Sequence, residues 1–335
     1  MAFRAVFVRQ LSGIFAVAGA MSFLGQLCFA AEPPGRRPIG ELAVLATVHL
    51  GKTADWVAVT RDAVWVGSTG PNAVHRIDPV NNQRVATIRL PGNPCAGLAV
   101  GFGSLWVPLC AKPNTLARVD LQTGTVSLLP GRGPLMREGG ITTSPDSVWL
   151  TVGRTTLARI DPSSGKVRQR IRVPAGSYNP LYSDGRIWLS RADGAQLTVI
   201  DATSGTLRGV ATTGPKPRFL TAGEGAIWTL NQGDGSVTRI DATTGRESAT
   251  IGLGIPGNGG DLAYGAGMVW ATMTGVPLSA VDAAEVVLRC QWEGAGGDSL
   301  AIGHGAIWLT DFDRGTISRI DIADAVAACS TPGDR

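Results

Sequence analysis

From residue 43 onward, apolar and polar residues alternate in short runs, and each run ends at Gly, Pro, Asn, Asp or Ser. The segment 219–252 shows the pattern in FLTAG, AIWTLN, SVTRID and ESATIG. Such runs, rich in β-branched residues and closed by turn formers, predict short strands. The first two pieces are joined by a Gly-rich pair, seen as GFGS, GEGA, GAGM and GHGA in successive copies. The last two are joined by DLQTG, DPSSG, DATSG or DATTG. In these turns Asp accepts hydrogen bonds from the turn amides and Gly supplies a positive φ.

The unit recurs. Trp stands at 65, 106, 149, 188, 228, 270 and 308, and an Asp follows each at 78, 120, 161, 201, 241, 282 and 321. Only Trp56 and Trp292 lie off this lattice. Four strands per repeat and seven repeats predict an all-β fold, a seven-bladed β-propeller with four antiparallel strands per blade. AVLATVHLGKTADWVAV at 43–59 aligns with RVATIRLPGNPCAGLAV at 84–100. The segment 43–50 therefore reads as the missing outer strand of the last blade, closing the ring through an N-terminal strand. Val286 and Ala325 replace the turn glycine in units six and seven. Those two turns are expected to be remodelled.

The lattice residues read as structural. A bulky ring once per blade suits blade-on-blade packing. Arg76, Arg118, Arg159, Arg239 and Arg319 precede five of the Asp residues, and Val199 and Ala280 replace them elsewhere. These arginines read as contacts between blades.

The ends refine the organisation. Residues 1–30 carry Arg4 and Arg9, no acid and an apolar stretch, and close on Cys28-Phe29-Ala30. This is the pattern of a secretory signal peptide, and the helix-breaking AEPPGRRP after it favours cleavage. Residues 31–40 read as a flexible linker, 41–325 as the propeller and 326–335 as a C-terminal tail. The mature chain is expected to be periplasmic or secreted, monomeric and without a membrane span. The formal charge of +4, less the two arginines, leaves +2. That gives no case for a nucleic-acid partner.

Four cysteines remain after residue 30, an even number in an exported chain. A hairpin turning between Phe102 and Gly103 sets Trp106 against Ala99 and Cys110 against Cys95, so a Cys95–Cys110 disulfide is expected. Cys290 and Cys329 meet only where the tail packs against blade six, and their pairing stays open.

Candidate chemistry lies on the loops entering each first strand and leaving each second strand, which gather at one channel mouth. Counting back from each Trp places Asp55, Arg137, Glu138, Tyr178, Asn179, Arg218, Asp261 and Asp298 there, and the DFDR run adds Asp311. Asp55, Asp261 and Asp298 belong to blades one, six and seven, which neighbour one another in a closed ring. Hard cations favour carboxylate oxygen, so these three are candidate ligands for Mg²⁺ or Ca²⁺. Lys112, Arg137, Arg154, Arg191 and Arg218 lie on blades two to five, so the mouth is expected to be electrically lopsided. His49, His75 and His304 all fall off the rim, which leaves no Ser-His-Asp set there.

The repeats, as in GAIWLT…ISRIDIADA and SVWLTV…LARIDPSSGKVRQRIRVP, resemble the YVTN/YncE-like propeller repeats of exported bacterial proteins. They also resemble those of virginiamycin B (streptogramin) lyases. The resemblance covers nearly all of 41–325 and implies the seven-bladed fold. The lyases use a channel histidine and metal-binding glutamates near inner strand ends. Three residues after each lattice Trp this chain has Ser68, Leu109, Val152, Arg191, Asn231, Met273 and Asp311, with no Glu. The lyase residues therefore do not carry over position by position. The expected function is an exported scaffold that binds a small molecule or a periplasmic protein at the mouth. The alternative is a metal-dependent enzyme, a streptogramin lyase or a gluconolactonase-like lactone hydrolase, on the acidic arc.

Overall fold

A computed structural model describes residues 35–134 and 138–330. The signal-peptide segment, Arg137 and the end of the tail lie outside the described residues. Each repeat forms one antiparallel sheet, here lettered A for the innermost strand to D for the outermost. Blade 1 is Thr53–Val59, Val64–Thr69, Ala73–Asp78 and Gln83–Arg89. Blade 3 is Ile141–Thr143, Val148–Gly153, Thr156–Ile160 and Val167–Arg172. Seven such sheets make a seven-bladed propeller. Blade 7 takes Leu300–Gly303, Ala306–Asp311 and Thr316–Asp321 from the end of the chain, and its D strand is Val44–His49. Chain start and chain end share one sheet, as the repeat arithmetic requires.

The turns follow the sequence chemistry. At Phe102-Gly103, Glu224-Gly225 and His304-Gly305 both A–B turn residues have positive φ, as a tight hairpin demands. At the C–D turns of blades 2 to 6 the Asp side chain accepts two amides, as Asp241 does from Thr243 and Thr244. Blade 6 departs from expectation. Val286 takes φ 59° and Asp282 still caps the turn, so this turn is not remodelled. Only blade 7 changes. There Asp321 caps a helix, Ile322–Ser330, through the amides of Ala323 and Asp324.

All seven lattice tryptophans are buried, and they join neighbouring blades: Trp106 of blade 2 packs with Leu150, Ala158 and Ile160 of blade 3. Five of their indole N–H groups donate to the residue five positions back, as Trp228 does to the Gly223 carbonyl. The arginine lies across the sheet from the ring, with Arg118, Arg159, Arg239 and Arg319 stacked on their Trp partners. Arg118, Arg159 and Arg319 also reach the next blade, at the carbonyls of Pro162, Thr203 and Pro79. Arg76 and Arg239 stay within their own blades. Blade 4 has Val199 in the Arg position, and Arg186 on the neighbouring strand stacks on Trp188 and reaches Ala242 and Thr243 of blade 5 instead.

Three expectations shift. Residues 36–38, inside the expected linker, form a short strand parallel to D of blade 6 (Val287–Glu293), with Arg37 stacked on Trp292. The tail from 326 is partly helical, and a Cys290–Cys329 disulfide fixes it to blade 6. Cys95–Cys110 forms as expected, but in another register. Ala99 faces Trp106, whereas Asn93 faces Cys110 and Pro94 faces Leu109. Strand A of blade 2 is broken between Pro94 and Ala99, which slips the pairing by two residues. The two cysteines bridge diagonally, with Cα atoms 5.7 Å apart.

Candidate functional site

The entry ends of the A strands converge on one cavity, lined by Trp56, Gly97, Asn179, Phe219, Asp261 and Ser299. Asp55 enters blade 1, Asp261 opens blade 6, and Asp298 precedes blade 7. The carboxyl groups of Asp55 and Asp298 share a hydrogen bond. Burial, then the charge of Asp298 and its hydrogen bond, hold Asp55 well above the usual carboxylate range. Burial also raises Asp298, and the charges of Glu138 and Asp313 add to it. Asp261 is pushed up to about 6 by burial, against the Ser299 hydroxyl and the Leu262 and Leu300 amides that it accepts.

Glu138 corrects the expected charge map. It comes from blade 3, on the supposedly basic side, yet its charge acts on both Asp55 and Asp298. Its amide donates to the Cys95 carbonyl at 2.7 Å, so the Cys95–Cys110 bridge stands directly behind it. Arg218 faces it at 3.8 Å and donates to its carbonyl. The same guanidinium lies 3.7 Å from the Tyr178 ring centre. Burial lowers Arg218 and raises Tyr178, and the charge of each partly offsets the shift of the other.

Backbone strain gathers here. Trp56, Glu138 and Lys216 all have positive φ, at 56°, 61° and 55°. A side chain as bulky as Trp rarely takes that conformation. The Trp56 amide donates to the Asp55 carboxylate at 2.7 Å, and the indole crosses the channel to Phe219, ring centres 6.3 Å apart. Below the acids this apolar layer lines a chamber of about 210 Å³ together with Leu98, Asn179, Asp261 and Leu300. Asn179 is buried, and its backbone amide donates to the Ser190 hydroxyl of strand B.

A larger groove of about 660 Å³ opens beside the arc. Its walls include Glu138, Asp298, Asp311, Asp313 and the Phe312 ring, which is 43% exposed. Gly296 and Gly297 form one side. At Gly297, with φ 94°, a Cβ would come within 2.5 Å of the Pro277 Cα, so the groove keeps its width only with glycine there. Asp311 holds the loop by accepting the Arg314 amide. Of the expected mouth residues, Asp55, Glu138, Asp298 and Asp311 edge the open cavities, Asp261 and Asn179 line the chamber beneath, and Tyr178 and Arg218 stack on one another.

Two features were not read from the sequence. Phe312 carries no mark in the sequence, because a single aromatic in a loop has no periodicity. Ser68, on a smaller cavity with Asp55 and Glu138, contacts His75 Nε2 at 2.7 Å. That contact is structural. Ser68 donates to the Pro71 carbonyl, Thr87 satisfies the other ring nitrogen, and burial lowers His75 to about 4. Among the described residues, no three His, Cys, Asp or Glu side chains are grouped to hold a metal ion. Asp261 is turned toward Ser299 rather than toward Asp298.

No protein-family model and no curated protein matches this sequence. Solved structures do match it. It is similar to streptogramin B lyase at 16% identity, over 82% of this chain and 96% of that one, with a TM-score of 0.70. It is also similar to BamB from Moraxella catarrhalis at 12% identity, over 84% of this chain and 100% of that one, with a TM-score of 0.61. At these identities the likeness shows the fold.

Proposed function

We propose that this protein is an exported binding scaffold whose channel mouth recognises a positively charged group on a small ligand or a protein. The observation that carries this reading is the crowding of carboxylates at the mouth. Burial and mutual crowding raise both Asp55 and Asp298, and the charge of Glu138 acts on each. A cationic group in the adjacent groove would relieve that crowding. Phe312 offers such a group an exposed ring face. The groove lies within the size range of ligand sites, roughly 300–1,000 Å³. Two disulfides and the expected signal peptide fit export. The test is affinity capture from a periplasmic extract with wild type and with Phe312→Ala/Asp313→Asn. A ligand recovered by wild type and lost by the variant supports the mouth. Equal recovery by both removes it.

The buried Asp55–Asp298 pair also favours a second reading. A Mg²⁺ or Ca²⁺ ion on Asp55, Asp261 and Asp298 would serve a lyase or lactone hydrolase, once Asp261 turned away from Ser299. An ion bound only by the native state raises the melting temperature. No shift between metal-loaded and chelator-treated protein counts against this reading.

A further inference from the structure

The charge of this chain is concentrated in one place. Residues 132–172 contain eight basic and three acidic side chains, a formal +5, whereas the whole chain is +4, so everything else totals −1. Much of the excess falls on strand D of blade 3, VRQRIR, which is the outer edge of its sheet. Arg168 is neutralised by Asp161. Arg170 and Arg172 are exposed, and their side chains form no ion pair or hydrogen bond among the described residues. They oppose Ala158 and Thr156 across the ladder, two residues apart, and so share one face of the strand. No packing need explains two unpaired guanidinium groups side by side, because like charges so placed repel.

The fold itself shows what such an edge accepts. On blade 6 the segment Arg36–Pro38 adds a fifth strand beside Val287–Glu293. Blade 3 has no such strand among the described residues. We propose that the outer edge of blade 3 docks an acidic, extended segment of a partner protein, which adds beside Val167–Arg172 as a fifth strand. Main-chain pairing supplies the affinity. Carboxylates at alternate positions of the incoming strand recur at the spacing of Arg170 and Arg172, and a guanidinium fork binds a carboxylate through two bonds. This surface is separate from the channel mouth and does not depend on its reading.

The probes are three acetylated seven-residue peptides: alternating Glu and Val, the same peptide with alternate backbone amides methylated, and alternating Lys and Val. Binding is followed by fluorescence anisotropy. The Glu-Val peptide should bind saturably, and methylation should weaken it at least tenfold by removing strand pairing. Arg170→Glu/Arg172→Glu should lose the Glu-Val peptide and gain the Lys-Val one. Arg172→Ala should give an intermediate loss. Exposed side chains are exchanged, so an unchanged melting temperature certifies the fold. Binding indifferent to methylation or to charge reversal overturns the proposal. So does binding to phosphatidylglycerol vesicles without binding to the peptide, which would assign the patch to a lipid surface.

Discussion

The same side chain meets opposite fates at the C–D turns and at the channel mouth. At the C–D turns, Asp161 and Asp201 accept serine hydroxyls and backbone amides and pair with Arg168 and Arg208, which holds them well below the usual carboxylate range. At the mouth, Asp55, Asp261 and Asp298 are held above that range by burial. The turn aspartates each stand among their own donors. The mouth aspartates crowd one another and Glu138. The repeat satisfies its charges wherever it is regular, and leaves them short of positive charge where blades 6, 7, 1 and 3 face one another. That contrast separates building from binding more clearly than residue type does.

The comparison breaks most severely if a lattice position proves dispensable. Trp228→Ala should cost about 3–5 kcal/mol in guanidinium unfolding, because it empties a packed volume between blades. Ligand capture at the mouth should survive under folding conditions. A loss under 1 kcal/mol would remove the structural reading of the lattice.

Next in size is the bridge behind Glu138. Cys95→Ser/Cys110→Ser should lose about 3 kcal/mol for a loop of this length. Hydrogen exchange at the Glu138 amide should quicken, since its acceptor is the Cys95 carbonyl. Stability lost without faster exchange there would detach the disulfide from the site.

The smallest effect is also the sharpest test. A carboxyl raised in the folded state stabilises fully below its unfolded value near 4, and that contribution fades as pH rises through the folded value, about 6 for Asp261. A lowered carboxyl does the reverse. Asp298→Asn should therefore melt higher than wild type at pH 8, with the gap closing toward pH 4. Asp161→Asn should melt lower at pH 7, and its gap should close as pH falls. Melting curves for both variants across this range give the signs, and equal signs would erase the contrast.

The building half of this molecule was legible because it is written seven times. Trp, Arg, Asp and Gly recur at fixed spacing, so blade count, ring closure and turn chemistry all followed. Where a blade departs from the repeat, the reading weakened. Arg186 supplies from strand B what Val199 lacks on strand C, and no spacing rule anticipates that exchange. The break in strand A of blade 2 moved Cys95 two places from its expected partner while leaving the bond intact. At the mouth, residue positions were readable from loop register, and the adjacency of blades 6, 7 and 1 followed from closure. The part played by Glu138 was not, because it depends on how far a blade 3 loop reaches over the channel. Nor was the strain at Trp56, since no residue pattern marks a positive φ at tryptophan.

The bond between Cys290 and Cys329 gives the ring a direction. It encloses the A, B and C strands of blade 7 in one covalent loop, but Val44–His49 lies outside it. Tension on the chain start would shear Arg36–Pro38 from blade 6 and then unzip Val44–His49 from blade 7 without breaking any covalent link. Tension on the chain end would stop at Cys329 and pass straight into blade 6. Under force this propeller would open from one side only, as a belt opens at its buckle.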